Sequence, residues 1–333
     1  MKFTDGYWSV KKEMTPLYAV EYADSRREGD ELTIYAPAKH IESRGDSLNL
    51  GMLTIRLSSP MEDVIKVSVV HFEGTAYQGP FAEINHTSPH VCIEETDDFI
   101  TYQSGSTKAV VDKRPNSWGI RFQDGERELT NTGFRNMANI LNNKTGRKYT
   151  VDALAIDVDE YIYGLGERFT PFVKNGQVVD MWNEDGGTAS EISYKNIPFY
   201  ITNKGYGVLL DNEGDASYEI ASEKVERIQF SVEGERLDYY VINGHTPKGT
   251  IEKYTELTGK PALPPAWSFG LWLTTSFTTN YDEKTTSSFI QGMADRDIPL
   301  HVFHFDCFWM EGFEWCNFVW DPKTFPDPKG MLV

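Results

Sequence analysis

One carboxylate, that of Asp306, lies within an otherwise apolar and aromatic segment, His301–Met310. Burial of an unpaired carboxylate is costly, so this side chain needs a partner. That partner is either a protein group, in an ion pair or a backbone cap, or the hydroxyl of a bound ligand. Because the segment is typical of a buried strand, and ligands of parallel βα folds bind at strand ends, we favour the ligand hydroxyl.

Aromatic residues concentrate around this carboxylate. Residues 261–333 contain five of the eight tryptophans and nine of the nineteen phenylalanines. An ordinary packed core explains such a concentration and is the better interpretation of composition alone. The segment nevertheless follows a predicted strand end, where flat aromatic faces suit the C–H surfaces of sugars.

Metal, nucleotide and nucleophile sites are not indicated. His301 and His304 are three residues apart, which on a strand directs their imidazoles to opposite faces, so we expect no metal site. Gly164 and Gly166 lack the third glycine and the following helix of a dinucleotide-binding loop. The three cysteines form no C-x-x-C pair, which argues against a disulfide framework and a cysteine zinc site.

Two patterns of periodicity divide the chain. Short runs with alternating apolar positions, separated by turn residues, predict a large antiparallel sandwich in the first part. The predicted strands include Glu31–Ala36, Leu53–Leu57, Val64–His71, Lys108–Asp112, Trp118–Phe122, Phe199–Thr202, Gly207–Asp211, Ile228–Val232 and Leu237–Ile242. A short helix is predicted over Pro247–Gly259, followed by the proline-rich stretch Pro261–Pro265. We therefore expect a sandwich domain over 1–246, a connecting helix and linker over 247–267, and a second domain over 268–333.

The second domain begins with a strand–helix–strand pattern. Ser268–Thr275 and His301–Trp309 are near-continuous apolar runs, as expected of strands buried on both faces. Between them, Asp282–Asp295 has the apolar spacing of a helix. One βαβ unit is the start of a parallel sheet or barrel rather than a whole domain, so we expect the sequence to be cut off inside its second domain.

Charge and composition exclude further function classes. The chain has 32 basic and 50 acidic side chains and a formal charge of −18, which disfavours nucleic-acid and membrane-surface partners. No unbroken apolar stretch indicates a signal peptide or a membrane helix. We expect a soluble, reduced, cytoplasmic protein, and a homo-oligomeric full-length parent is left open.

Four segments together resemble glycoside hydrolase family 31 and, within it, the bacterial α-xylosidases. They are Tyr163–Thr170, Tyr194–Tyr200, Gly205–Val208 and Pro264–Gly270. The resemblance implies a mainly β fold: an N-terminal antiparallel supersandwich like that of galactose mutarotase, followed by the first βαβ unit of a truncated (β/α)8 barrel. It also implies retaining hydrolysis of α-glycosides by a pair of aspartates, without a cofactor.

The resemblance to α-xylosidases rests on residues 306–310. Family α-glucosidases have a second acid where this chain has Phe308, and an apolar residue where it has Cys307. A phenyl ring in place of a carboxylate removes a hydroxyl acceptor and fills space near the sugar's C5 substituent, which favours xylose over glucose. The substrate-binding residues implied by the resemblance are Asp185, Phe277, Asp306, Cys307, Phe308 and Trp315.

The resemblance leaves the catalytic pair outside this chain, because neither aspartate motif occurs in residues 1–333. We expect the parent enzyme to remove terminal α-xylose from oligosaccharides such as those of xyloglucan, and the 333-residue chain alone to be inactive. The alternatives are an α-glucosidase or another α-glycosidase of the family, and a non-catalytic carbohydrate-binding or structural fragment.

Overall fold

The computed structural model describes residues 2–6, 9–74, 83–184, 191–275 and 282–333. The chain folds into two compact units, Met1–Lys260 and Pro261–Val333. The boundary between them falls inside the segment 247–267, which the sequence suggests as the connection. In the part of the chain that the structure describes, no helix is long and apolar enough to cross a membrane.

The first unit contains three antiparallel sheets. The six-stranded sheet has the order β1 (Met14–Tyr18), β11 (Ala138–Asn142), β12 (Lys148–Ala155), β18 (Arg227–Glu233), β17 (Ala216–Ile220) and β14 (Gln177–Met181). The five-stranded sheet has the order β10 (Arg127–Thr132), β9 (Gly119–Asp124), β8 (Thr107–Asp112), β7 (Phe99–Ser104) and β6 (Val91–Glu95). The eight-stranded sheet has the order β13 (Ile162–Gly164), β15 (Phe199–Thr202), β16 (Tyr206–Leu210), β19 (Arg236–Asn243), β5 (Val64–Val70), β4 (Met52–Ser58), β3 (Glu31–Pro37) and β2 (Asp24–Glu28).

The alternation of apolar residues accounts for these strands. In β4, Leu53, Ile55 and Leu57 are buried, whereas Thr54 and Arg56 between them are partly exposed. Side chains of all three sheets meet in one continuous core. Each of the nine predicted strands overlaps an observed one, so the predicted supersandwich is confirmed.

Helix α1 (Pro247–Thr258) packs on the outer face of the eight-stranded sheet. The Thr246 hydroxyl accepts a hydrogen bond from Gly249 N at 3.0 Å, which caps the helix, and a proline at its first position suits the fixed φ there. The Tyr254 ring stacks on Phe199 of β15 with centroids 4.1 Å apart. The centre of the sheet is therefore buried on both faces.

The second unit contains strands β20 (Trp272–Leu273) and β21 (Val302–Phe303), which pair in parallel. Helix α2 (Glu283–Ala294) lies between them in the chain and is capped by Asp282, and α3 (Pro328–Met331) follows. The βαβ order is as predicted, but the predicted strand lengths, Ser268–Thr275 and His301–Trp309, are wrong. Their described side chains are exposed or half-buried, because one twelve-residue helix and loops do not cover both faces of a strand pair.

The three sheets of the first unit meet at one carboxylate, that of Asp152 in β12, which is fully buried. Thr132 Oγ1 of β10 donates to Asp152 Oδ1 at 2.6 Å, and Tyr239 OH of β19 donates to Oδ2 at 2.8 Å. Ala153 N donates to Oδ1 at 2.7 Å. Burial raises the pKa of the Asp152 carboxyl to about 6, although these three hydrogen bonds act to lower it.

Two substitutions of Asp152 distinguish the effect of its ionisable charge from the effect of its hydrogen bonds. Asp152→Asn keeps an oxygen for Thr132 and Ala153, and the Tyr239 hydroxyl can turn to accept from the new amide, whereas Asp152→Ala strands buried donors at about 1–3 kcal/mol each. A raised pKa stabilises the folded state below the unfolded value of 3.8, and this contribution is lost as the pH rises through about 6.

We therefore expect the wild-type Tm to fall relative to that of Asp152→Asn between pH 4 and pH 7, and Asp152→Ala to unfold at lower temperature at every pH. Differential scanning calorimetry of the three proteins measures this. A difference in Tm between wild type and Asp152→Asn that does not change with pH would contradict the raised pKa of Asp152.

Candidate functional site

Asp306 lies three residues beyond β21, at the start of a 3₁₀ turn formed by Cys307–Trp309. Its Oδ1 accepts a hydrogen bond from Cys307 N at 2.7 Å, so the carboxylate caps this turn. A carboxylate accepts up to about four hydrogen bonds, so capping and binding of a sugar hydroxyl are compatible. The structural alternative weighed from the sequence, a backbone cap, is thus present, and the ligand role stays a prediction.

The side chains that follow Asp306 form an aromatic corner. The Phe308 ring meets Trp315 edge-to-face with centroids 5.9 Å apart, and Trp315 stacks on Phe313 at 5.6 Å. Phe308 and Trp315 are 38% and 41% exposed, enough for their remaining faces to contact a ligand. Burial, and then the hydrogen bond and charge of Asp306, raise the pKa of the Cys307 thiol, which keeps it neutral beside the carboxylate.

The aromatic cluster of the second unit divides into two groups. Phe305, Trp309, Trp320 and Phe325 pack together, with the centroids of Trp320 and Phe325 5.0 Å apart and Phe325 almost fully buried. This group is the small core that composition alone favours. The rings around Phe308 form the second, more exposed group.

Phe313 and Phe318 of the adjoining loop have φ angles of 66° and 56°. Bulky side chains rarely adopt this left-handed conformation, which costs about 1–2 kcal/mol per residue. Both rings are largely exposed, so apolar burial within the described part of the unit does not compensate for that cost. The loop thus holds two large aromatic side chains toward solvent in a strained conformation.

Four of the six implied binding residues, Asp306, Cys307, Phe308 and Trp315, therefore lie in one part of the second unit. Asp185 and Phe277 lie outside the described residues. In the described ranges, no group of three or more His, Cys, Asp or Glu side chains could hold a metal ion. His301 Nδ1 instead accepts from Leu271 N at 3.1 Å, and His304 Nδ1 lies 3.4 Å from Thr274 Oγ1.

A network in the first unit connects the two ends of the stretch 184–191, and the sequence analysis did not identify it. The Arg168 guanidinium donates to the carbonyl oxygens of Leu165, Asp180 and Glu191 at 3.1–3.3 Å and to the side chain of Asn196. Burial lowers the pKa of Arg168, and the nearby Asp180 opposes this shift.

Asn196 completes the network. Its Nδ2 lies 2.8–2.9 Å from the carbonyl oxygens of Trp182 and Ser193 and from Asn183 Oδ1. Asn183 and Ser193 also pair in a short parallel bridge. Arg168 and Asn196 belong to two of the segments quoted above for the family resemblance. Their spacing alone does not reveal that the two side chains touch.

Matches to known protein families assign each of these two regions to a domain. Residues 54–219 match the model of the glycosyl hydrolase 31 N-terminal galactose mutarotase-like domain. Residues 261–333 match that of the glycosyl hydrolases family 31 TIM-barrel domain. The chain belongs to glycoside hydrolase family 31. Asp306 and the aromatic corner that follows it therefore lie in the family 31 barrel domain. The Arg168–Asn196 network lies in the family 31 sandwich.

Curated relatives in family 31 match the whole chain. The alpha-xylosidase XylQ of Lactiplantibacillus pentosus is 52% identical over 332 residues, which are 100% of this chain and 43% of that protein. The alpha-xylosidase of Emericella nidulans is 43% identical over 354 residues, 100% of this chain and 45% of its own. The chain thus spans less than half the length of these relatives.

Solved family 31 structures share the fold. The dextranase of Flavobacterium johnsoniae, solved as a mutant with isomaltotriose, superposes with a TM-score of 0.77 over 94% of this chain and 37% of its own, at 22% identity. At that identity the likeness supports the architecture alone.

Asn196→Asp tests whether the amide donors hold this network. The carboxylate keeps its bond to Arg168 but faces the carbonyl oxygens of Trp182 and Ser193 without a proton to donate. Loss of about 1–1.5 kcal/mol of hydrogen bonding should speed hydrogen exchange of the Glu184 and Lys195 amides on the order of tenfold.

Exchange measured by mass spectrometry checks this prediction. Asn212→Asp is the matched control, because Asn212 is half-buried outside this network and its Nδ2 donates to the carbonyl of Gly214. Equal exchange in all three proteins would show that the amide donors of Asn196 are dispensable.

Proposed function

We propose that the full-length gene product is a retaining α-xylosidase that releases terminal α-D-xylose from oligosaccharides. The observation that carries the proposal is that two relatives described as alpha-xylosidases, at 52% and 43% identity, match the whole chain, including the Asp306 corner. Family 31 membership supplies the coarser reaction, hydrolysis of a glycoside.

The side chains of Asp306 and the aromatic corner favour a pentose over a hexose as the bound sugar. Asp306 supplies a carboxylate that can accept from a sugar hydroxyl, and the half-exposed Phe308 ring supplies an apolar wall two residues later. A glucose hydroxymethyl group against that wall would lose its hydrogen-bond partner on leaving water, whereas xylose has no such group.

The chemical step needs two carboxyl groups about 5–5.5 Å apart, one as nucleophile and one as acid and base. The family motifs that carry them do not occur in residues 1–333, so we assign neither role within this chain. The residues assigned here bind and orient the sugar.

Hydrolysis of aryl α-xyloside and aryl α-glucoside by the full-length gene product tests the proposal. We expect a clear preference in kcat/KM for the xyloside. A preference for the glucoside would support the α-glucosidase alternative and remove the xylose assignment, and hydrolysis of neither would favour a carbohydrate-binding role.

Asp306→Asn in the full-length protein should lower kcat/KM for aryl α-xyloside roughly ten- to a hundredfold, since a hydrogen bond to a charged group contributes about 1.5–3 kcal/mol. Thermal stability should change little, because the asparagine oxygen can still accept from Cys307 N. Steady-state kinetics and a melting curve measure the two effects. A large fall in Tm with unchanged kinetics would make Asp306 a structural cap.

The paired change of Cys307→Ile and Phe308→Asp should raise activity toward α-glucoside relative to α-xyloside. The new carboxylate offers an acceptor to the hydroxymethyl group. Phe308→Asp alone leaves a cavity and an unpaired charge, and Cys307→Ile alone adds volume beside the unchanged ring, so the two are measured together. The ratio of the two kcat/KM values in the folded double variant is the measurement. An unaltered ratio would contradict the specificity role of these two residues.

A further inference from the structure

Two glutamates, one in the six-stranded sheet and one in the turn that follows it, contact the N-terminal segment of the chain. Glu219, in β17, is 3% exposed, and Glu223 is half-buried in the turn between β17 and β18. Gln229 Nε2 donates to Glu219 Oε2 at 2.7 Å and to Glu223 Oε2 at 3.0 Å, so one amide nitrogen bridges the two carboxyl groups. Two carboxylates this close cannot both ionise without strong repulsion.

The opposite face of this glutamate pair contacts the N-terminal segment, residues 2–6 and 9–11. Lys2 N donates to Glu219 Oε1 at 2.7 Å, and the Thr4 hydroxyl donates to Glu223 Oε1. The segment forms its own small bridge, in which Lys11 N donates to Phe3 O at 3.0 Å. The Phe3 ring, 2% exposed, packs in an apolar cluster on the same sheet.

The N-terminal segment also borders a cavity. Lys2 and Glu219 line a space of about 480 Å³ together with Asp180, Ser217 and the exposed Trp182. The charged and titratable groups that act on the glutamate pair are the N-terminal amine, Lys2, Tyr18 and Lys224 and, through Lys2, Asp180, Asp215 and Glu233.

We propose that Glu219 and Glu223 share one proton and form a pH-dependent latch, which holds the N-terminal segment on the sheet and loosens when the shared proton is lost to solvent. Loss of the proton leaves two facing carboxylates around one amide donor, so the hydrogen bonds from Lys2 N and Thr4 are strained by repulsion between their acceptors. A loosened segment widens the cavity beside Trp182.

The pKa shifts of Glu219 and Glu223 determine how the stability of the docked N-terminal segment changes with pH. Burial and the hydrogen bond to Glu219 raise the pKa of Glu223 from an ordinary 4.5 to about 7. Burial also acts to raise the pKa of Glu219, but hydrogen bonds from Glu223 and Lys2 N outweigh it and lower that pKa. The contribution of Glu223 is therefore fully present below about pH 4.5 and is lost as the pH rises through about 7. The contribution of Glu219 is present above about pH 4.5 and is lost as the pH falls through its lowered pKa.

Glu223→Gln is the decisive variant, because its amide donates to Glu219 and accepts from Thr4 as the protonated acid does and cannot lose a proton in this range. Its nitrogen, unlike the acid's Oε2, does not accept from Gln229 Nε2, so the two proteins are compared through their pH dependence. Hydrogen exchange of the peptide covering residues 2–11 is measured from pH 5.5 to 8.5 in the full chain. Comparing the two proteins at each pH cancels the intrinsic pH dependence of exchange.

We expect the protection of the wild type, divided by that of Glu223→Gln, to fall several-fold between pH 5.5 and pH 8.5. Glu213→Gln, at an exposed glutamate in the turn before β17, should behave as the wild type. Far-ultraviolet circular dichroism confirms that each variant is folded, and the Tm difference between wild type and Glu223→Gln gives a second readout with the same sign. A ratio of wild-type to Glu223→Gln protection that stays constant over the whole range would overturn the latch.

Discussion

The buried carboxylate of Asp152 is the contact on which the sandwich depends, because it is the point where all three sheets exchange hydrogen bonds. Apolar packing brings the sheets together without fixing how they are oriented, whereas the two hydroxyls of Thr132 and Tyr239 must both reach one carboxyl group. A buried polar network is stabilising only when every member is satisfied, so it selects one arrangement of the sheets over others of similar apolar burial. The cost is a group whose pKa, about 6, makes this junction sensitive to pH.

The two candidate site regions are held by hydrogen bonds of different kinds. In the second unit, Asp306 caps the turn that carries Phe308, so the carboxylate that is proposed to bind sugar also orients the ring that is proposed to select it. In the first unit, Arg168 and Asn196 hold strand and loop backbones together from the side, through carbonyl oxygens. Every residue type has the same backbone carbonyl, so residues whose carbonyls accept these hydrogen bonds can be substituted without loss of the bonds.

Sequence periodicity was sufficient for the sandwich and insufficient for the site. Strands such as β3 and β4 follow from alternation, since one face of each is buried in the common core. The long apolar run around Trp272 predicted a fully buried strand, yet two residues pair, because burial depends on neighbours that a local pattern does not contain. The contact between Arg168 and Asn196 joins residues 28 apart, and no spacing rule encodes it. The segments that contain Arg168 and Asn196 resemble those of family 31, but that resemblance does not show that the two side chains are in contact.

The order of strands in the eight-stranded sheet has a consequence during synthesis of the chain. Strand β5 pairs with β4 on one side and with β19 on the other, and Ser68 and Arg236 of β5 and β19 are 168 residues apart. At about 5–20 residues per second, β5 waits roughly 8–34 s for its second neighbour. Its sequence, Val64–Val70, is rich in β-branched residues, and an unpaired edge of this kind invites pairing with other chains. Lys66 places a charge in the middle of that edge, which disfavours such pairing until Asp238 arrives to meet it.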